Sequence, residues 1–171
     1  MTDSKTIDAQ SGYEKGISVA RTAIAGAKTI GESAGMQGSL MAGSLEALVI
    51  DDEMLGGINR IKRGIEVNDE TLSLDDINDV VKGKGNFLYS QQTIKRMRTE
   101  YYYPEIADRT NYNKWEESGS RDIRHHARQK TLKLLSSHSP KHIHPDLDAK
   151  VREKFNIHLP AADMTDSCNR W

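Results

Sequence analysis

Cysteine, aromatic residues and long apolar runs are all scarce in this sequence. Its 171 residues include one cysteine, Cys168, so no intramolecular disulfide framework can form and a reducing compartment fits best. Only 36% of the residues are hydrophobic and 6% are aromatic, and the mean hydropathy is -0.67. These values predict a thin hydrophobic core, at the polar end of globular proteins.

A strong net charge, a targeting signal and a membrane-spanning run are missing as well. The 24 basic and 25 acidic residues give a net charge of -1, so no overall field would gather nucleic acid or anionic lipid. Residues 1–5 have neither the basic nor the apolar region of a signal peptide, and no run approaches ~18 consecutive apolar residues. We therefore expect a cytoplasmic protein that binds neither nucleic acid nor membrane.

The amino-terminal region has the pattern of a helix that leads into a strand. Ser11 and Glu14 have the spacing of a capping box, and small apolar residues recur behind them at helical spacing. This pattern predicts a helix over residues 12–29 whose buried stripe is formed by Ile17, Ala20, Ile24, Ala27 and Ile30. The glycine-punctuated segment 29–36 predicts one buried strand. Its backbone groups would need partner strands that lie upstream or on another chain.

The rest of the chain is predicted to be helical. Ser44 is placed to cap a long helix with Leu45, Leu48, Leu55, Ile58, Ile61 and Ile65 on one side, and Gly64 is placed to end it. Four further helices are expected: after Ser73 up to Gly83, around residues 94–101, after Ser120, and from His144-Pro145 onward. From residue 159 the periodicity is lost and we expect a mobile tail.

Two clusters of polar residues stand out, and each has a structural interpretation. Asp3, Asp8, Gln10 and Glu14 precede or open the first helix, where carboxylates stabilise the helix end. Glu46, Asp51, Asp52 and Glu53 lie on the long helix, where a solvated face is the default interpretation. By chemistry alone, therefore, neither cluster requires a catalytic role.

The histidines do not have the spacing of a metal site. His138, His142 and His144 surround Pro140, with His125 and His126 upstream, but no standard zinc pattern fits and no cysteine accompanies them. We interpret them as exposed linker residues. No metal is therefore expected.

Several longer stretches resemble one family. Residues 2–16 (TDSKTIDAQSGYEKG), 43–71 (GSLEALVIDDEMLGGINRIKRGIEVNDET) and 85–109 (GNFLYSQQTIKRMRTEYYYPEIADR), followed by Trp115, Glu116, Gly119 and Asp122, resemble the carboxyl-terminal part of the trimethylamine methyltransferase family. The resemblance implies an α/β fold: a carboxyl-terminal fragment of a TIM (β/α)8 barrel that is mostly helical as it stands. A whole barrel needs eight βα units and about 250 residues.

The resemblance also implies partners and an organisation. Family members move a methyl group from a methylated amine to the cobalt of a separate corrinoid protein, so we expect no cofactor bound directly and a corrinoid carried by a partner. Some members contain pyrrolysine, which this sequence lacks. Residues 1–66 would be the last βα units, 67–158 a helical extension and 159–171 the tail. The missing amino-terminal barrel segment is a further expected partner, and a homo-oligomer is left open.

The resemblance places two loops on the catalytic face of the barrel. The segment from Asp3 to Gln10 would follow the seventh strand, and residues 32–43 would follow the eighth. Carboxylates there would hold a cationic amine, which makes the catalytic candidates Asp3, Asp8, Glu32 and Glu46. The substrate-binding candidates are Ser4, Gln10, Met36 and Met41, although loop packing also explains the two methionines.

Three functions remain open from the sequence. The first is the carboxyl-terminal part of a corrinoid-dependent amine methyltransferase, inactive by itself. The second is a non-catalytic helical remnant or docking fragment of such an enzyme. The third is an unrelated helical binding module.

Overall fold

The computed structural model describes residues 1–83, 85–137 and 143–160. These ranges are mainly helical, with one small hairpin. The elements in chain order are α1 (Ala9–Ile24), β1 (Met36–Gln37), β2 (Ala42–Gly43), α2 (Leu45–Arg63), α3 (Asp69–Leu72), α4 (Leu74–Lys82), a 3-10 turn (Phe87–Tyr89), α5 (Gln91–Arg96), α6 (Tyr112–Glu117), α7 (Ile123–Ser137) and α8 (Pro145–Lys154).

The first helix begins and ends earlier than expected. Asp8, not Ser11, caps α1, because its carboxylate accepts a hydrogen bond from the Ser11 amide at 2.9 Å. The helix ends at Ile24, and Gly26 follows with a φ of 91°, a left-handed conformation that suits glycine at a helix end. The predicted capping box at Ser11 and the predicted extension to residue 29 are therefore wrong.

The strand predicted for residues 29–36 is not formed. Glu32 has a φ of 52° and Gly35 a φ of 78°, and these left-handed residues interrupt the extended backbone that a strand needs. The extended residues are instead those of an antiparallel two-residue ladder, in which Met36 pairs with Gly43 and Gln37 with Ala42. This hairpin bonds within the loop itself and is the only sheet among the described residues.

The predicted ends of the second helix are confirmed. Ser44 Oγ accepts a hydrogen bond from the Ala47 amide at 3.1 Å, and Gly64 ends α2 with a φ of 73°. The helix packs against α1 and α7. It is therefore the central element of the fold.

The stripe predicted for α1 is right only in part, since Ala20 and Ile30 pack against the core but Ile17 and Ile24 do not. Ser11, Lys15, Val19 and Ala23, four residues apart, form the buried face of α1, whereas Ile17 and Ile24 are 55% and 65% exposed. Val19 and Ala23 join Ile58 of α2 in the core, with Leu55 and Ile30 packed around it. The predicted stripe of α2 is likewise right only in part, because Leu45, Leu48, Ile61 and Ile65 are exposed.

Two of the later helices follow their local signals, but the helix predicted around residues 94–101 is wrong in its bounds, because α5 covers Gln91–Arg96 and ends there. Ser73 precedes α4 and Gly83 ends it, although Ser73 makes no capping bond with its side chain. Proline 145 occupies the first position of α8. Packing of α7 against α2 buries Ala127 completely. The predictions for His138, His142 and Cys168, and for the tail beyond Pro160, concern residues outside the described ranges.

The hydrophobic core is thin, as the composition predicted. Among the described residues the buried apolar side chains are Val19, Ala23, Ala47, Ile58, Ile106 and Ala127, whereas a much larger number of apolar side chains is exposed. Polar contacts between the elements must therefore contribute much of the stability of the fold.

Within the described residues no helix has the length and apolar character needed to cross a bilayer.

Candidate functional site

The amino-terminal segment lies against the β1–β2 hairpin. The amide of Gly38 donates to the Ser4 carbonyl at 2.8 Å, and the amide of Ser39 donates to the Thr2 carbonyl at 2.9 Å. The Ser39 hydroxyl also donates to the Asp3 carboxylate. The two loops that the family resemblance placed on one face are therefore joined directly.

Glu14 of α1 accepts hydrogen bonds from several polar groups of the amino-terminal segment. Its carboxylate accepts hydrogen bonds from Thr2 Oγ1 at 2.6 Å, the Asp3 amide at 2.9 Å and Gln10 Nε2 at 2.8 Å. These bonds, with that of Thr2 the largest contributor, hold the pKa of Glu14 below its ordinary value. Glu14 is thus an anionic anchor for the segment that carries Asp3 and Ser4.

Asp8 is anchored in the same way. Its carboxylate accepts from the Ser11 amide at 2.9 Å, Ser4 Oγ at 2.8 Å and Thr6 Oγ1 at 3.1 Å. The Ser11 amide is the first of the causes that lower the pKa of Asp8. These hydrogen bonds fix Asp8 within the loop.

A buried ion pair links the two main helices beneath these loops. Lys15 of α1 is 0% exposed and Asp51 of α2 is 4% exposed, and Lys15 Nζ lies 2.6 Å from Asp51 Oδ2. The same oxygen accepts from the Gly35 amide at 2.8 Å. The side-chain amide of Gln37 is best satisfied with its oxygen facing Lys15 Nζ at 3.3 Å and its nitrogen facing the Ser4 carbonyl at 3.2 Å. One buried polar cluster therefore connects both helices, the hairpin and the amino-terminal segment.

Sequence reasoning missed this cluster. The sequence pattern predicts a solvated helix face for Asp51, which is wrong, and it predicts no buried position for Lys15. The available signal was the four-residue spacing of Lys15 from Ser11 and Val19, and of Asp51 from Ala47. A lysine at a position otherwise in phase with buried residues needs an acidic partner.

The other candidates are dispersed. Glu32 is exposed and its carbonyl accepts from the terminal amine of Met1 at 3.2 Å. Glu46 lies in the first turn of α2, as expected, where Ser44 Oγ donates to it at 3.2 Å and Arg128 lies 3.8 Å away. Met36 is half-buried on β1, whereas Met41 is 88% exposed in the turn. Asp3, Ser4, Asp8 and Gln10 thus share one hydrogen-bond network, which the side chains of Glu32 and Glu46 do not join.

A cleft of about 530 Å³ opens beside the buried pair. It lies between the start of α1, the middle of α2 and the start of α7, and its walls are mainly apolar. Residues of this wall include Ile7, Asp8, Ala47, Ile50, Asp51 and Ile123. Asp8 and Asp51 are the two acidic residues that border the cleft.

Glu53 was also assigned to a solvated face, and this prediction is wrong. Its carboxylate accepts from three consecutive amides, those of Glu105 at 2.6 Å, Ile106 at 2.7 Å and Ala107 at 3.0 Å. From α7, His126 Nδ1 lies 3.0 Å from the Ile106 carbonyl. Segment 105–107 is therefore held between α2 and α7, with Ile106 only 2% exposed.

No group of three or more potential metal ligands occurs in the part of the chain that the structure describes. His144 instead caps α8, with its Nδ1 accepting from the Asp146 amide at 3.4 Å. His125 and His126 are neighbours on α7 whose ring centroids are 6.1 Å apart.

Comparison with known proteins defines the class first. A sequence model of the family described as trimethylamine methyltransferase matches residues 1–158. The chain therefore belongs to the trimethylamine methyltransferase family, and it corresponds to a carboxyl-terminal part of it.

Relatives from archaea and bacteria agree with this assignment. Trimethylamine methyltransferase of Methanosarcina thermophila is 39% identical over 147 residues, covering 85% of this chain and 30% of the relative. A trimethylamine methyltransferase of Methanosarcina mazei is 35% identical over 163 residues (95% and 31%). Glycine betaine methyltransferase of Desulfitobacterium hafniense is 32% identical over 153 residues (89% and 31%). The chain thus spans about a third of the length of these relatives.

Proposed function

We propose that this chain is the carboxyl-terminal part of an enzyme that transfers a methyl group from trimethylamine or a related methylated amine to the Co(I) of a corrinoid protein. The observation that carries the proposal is the family match across residues 1–158. The names of the relatives, trimethylamine and glycine betaine methyltransferases, support a methylated amine as the donor. By itself the chain is expected to be inactive.

The reaction sets the requirements for the site. The bond between nitrogen and the methyl carbon breaks with its electron pair going to nitrogen, so a cationic donor leaves as a neutral amine. The new bond between the methyl carbon and cobalt uses the electron pair of Co(I). The cobalt belongs to a corrinoid on a separate protein and is a substrate, and we assign no described residue to hold it.

The chain's own residues would hold and orient the amine. In the proposal Asp3, which is exposed on the amino-terminal segment, faces the cation, and Gln10, Met36 and Met41 contact the donor. Ser4 is only 3% exposed and its hydroxyl donates to Asp8, so it orients the loop and does not touch the donor. Asp8 acts by fixing the loop, since its carboxylate oxygens are occupied by Ser11, Ser4 and Thr6. Glu32 and Glu46 remain candidates for parts of the site that the rest of the enzyme completes.

We also propose that residues 1–66 are the last units of a TIM barrel. The hairpin at 36–43 and the segment before α1 would then belong to the loops on the catalytic face. The buried contacts of Lys15, Asp51 and Gln37 fix both loops to the two helices. The eighth strand, which is not formed in the described residues, would need neighbouring strands that the rest of the enzyme supplies.

A chimera tests the proposal. Residues 1–158 replace the matching segment of the D. hafniense glycine betaine methyltransferase, and the cobalt absorbance of a reduced corrinoid protein is followed with glycine betaine or trimethylamine as donor. We expect methyl-cobalt to form with the chimera and not with the chain alone. A folded chimera that methylates no corrinoid would contradict the proposal and favour a non-catalytic docking fragment.

Asp3 has its own test in the same chimera. Asp3→Asn keeps the size and the hydrogen bond from Ser39 but removes the charge, so we expect slower methyl transfer with unchanged stability. Asp52→Asn, on the exposed side of α2, is the matched control and should leave the rate unchanged.

A further inference from the structure

Helix α1 has two apolar faces, and only one of them is covered. The covered face packs on α2 through Val19 and Ala23. The other consists of Tyr13, Ile17 and Ile24, which are 58%, 55% and 65% exposed. At 100° per residue the two faces are roughly 120° apart around the helix axis. We call Tyr13, Ile17 and Ile24 the α1 stripe.

The α1 stripe borders an open groove. A space of about 400 Å³ lies between the amino-terminal segment and α1, lined by Met1, Tyr13, Ile17 and Arg21 among others. Met1 adds a further apolar side chain that is 53% exposed. An apolar strip flanked by charged residues, here Glu14 and Arg21, is typical of a surface that another folded element covers.

We propose that the α1 stripe is the contact surface for the apolar interior of the remaining two-thirds of the methyltransferase fold. This inference rests on the proposed function, in which the chain is one part of a longer enzyme. The relatives are about three times as long as the segment they share with this chain, so a large folded body must pack against that segment in them. An apolar face directed away from the α1–α2 core is the surface that such packing requires.

A second copy of the chain fits the α1 stripe less well. Three side chains, each only partly exposed, offer less than the ~800 Å² per partner that a stable protein interface buries. Parts of one continuous chain can pack over a smaller area than this, because their contact involves no loss of the translational and rotational freedom of separate molecules.

Thiol labelling measures whether the stripe is covered. Ile17→Cys and the control Thr22→Cys, an exposed position on the same helix, are made in the isolated chain with Cys168→Ser and in the chimera of residues 1–158 with the glycine betaine methyltransferase. We expect labelling at position 17 to be at least about tenfold slower in the chimera than in the isolated chain. Labelling at position 22 should proceed at similar rates in both.

The outcomes are distinguishable from those of the proposed function. Labelling at position 17 that is as fast in a folded chimera as in the isolated chain overturns the inference, whether or not that chimera transfers methyl groups. A second outcome also overturns the inference: labelling at position 17 is slow in the concentrated isolated chain and becomes fast when the chain is diluted. A second copy of the chain would then cover the stripe.

A charge substitution gives an independent measurement. Ile17→Glu with Ile24→Glu should leave the melting temperature of the isolated chain unchanged but lower that of the chimera, whereas Thr22→Glu should lower neither. The M. thermophila trimethylamine methyltransferase serves as a second host. Failure of both hosts to fold with residues 1–158 in place counts against the inference, because the stripe is proposed to fit their interiors.

Discussion

Two regions of the molecule use ion pairs in different ways. Beneath the amino-terminal loops, Lys15 and Asp51 are both buried and share their hydrogen bonds with Gly35 and Gln37. Around α3 and α5, Lys95 and Glu70 are 3.0 Å apart, but their side chains are 70% and 55% exposed. Water already solvates the second pair, whereas the first depends entirely on its partners. Burial, not separation, therefore decides what each pair contributes.

The largest expected effect comes from breaking the buried pair. Asp51→Ala should lower the free energy of unfolding by ~3–5 kcal/mol, because the Lys15 ammonium would remain buried without its counter-charge. Urea denaturation measures the loss. Asp52→Ala, at the exposed neighbouring position, is the control and should cost little.

A double substitution sharpens this prediction. Lys15→Met with Asp51→Leu should recover most of the stability lost in Asp51→Ala, since no buried charge is left unpaired. If the double variant is as unstable as Asp51→Ala, the hydrogen bonds to Gly35 and Gln37 would be the important part of the cluster.

A loss of about 2 kcal/mol is expected for Glu53→Ala, since three amides of segment 105–107 lose their acceptor. Glu53→Gln retains one oxygen and should lose less. Hydrogen exchange at residues 105–107 should accelerate in both variants, more strongly with alanine. Unchanged exchange there would show that α7 alone holds the segment.

Asp8 gives a smaller effect that depends on pH. Its folded pKa lies below its ordinary value, so its contribution is present above the unfolded pKa and is lost as pH falls through the folded pKa. Asp8→Ala should therefore be less stable than the parent chain near neutral pH, and the two should converge in strong acid. Asp8→Asn retains an acceptor oxygen for the cap without titrating, so the stability that it retains should vary less with pH. Parallel melting curves for Asp8→Ala and the parent at every pH would contradict the prediction.

The smallest effect belongs to the surface pair. Lys95→Ala should leave the urea midpoint unchanged within error, because Glu70 remains solvated and Arg96 stays 3.3 Å from it. Added salt should not change this result. A clear loss of stability would mean that the exposed ion pair between α3 and α5 contributes to the free energy of unfolding as the buried pair does.

The sequence predicted those features whose signals are local. Ser44, Gly64, Gly83 and Pro145 mark helix ends correctly because a cap depends on a few neighbouring residues. The family resemblance was confirmed as well. Helix caps and family motifs both depend on residues that are close together in the sequence.

Features that depend on distant residues were not predictable in this way. Lys15 is buried because Asp51 lies 36 residues further along the chain, and Glu53 is bound by amides more than 50 residues away. The prediction of a strand at 29–36 is wrong for a related reason, because a strand needs neighbouring strands that the described residues do not provide. The candidates Asp3, Ser4, Asp8 and Gln10 do share a network, but their catalytic roles stay predictions.

The contacts of α2 with Thr99 and Glu100 also bear on how the chain tolerates changes in length. Arg60 NH2 lies 2.7 Å from Glu100 Oε2 and Arg63 NH2 lies 2.6 Å from the Thr99 carbonyl. The chain therefore leaves the end of α2 at residue 64 and returns to the same helix end. Since each doubling of a closed loop costs only about 0.6 kcal/mol, a peptide added at the exposed residues 65–67, between α2 and α3, should leave the α1–α2–α7 core intact. This segment is the natural place to insert an epitope or a fluorescent reporter into this protein.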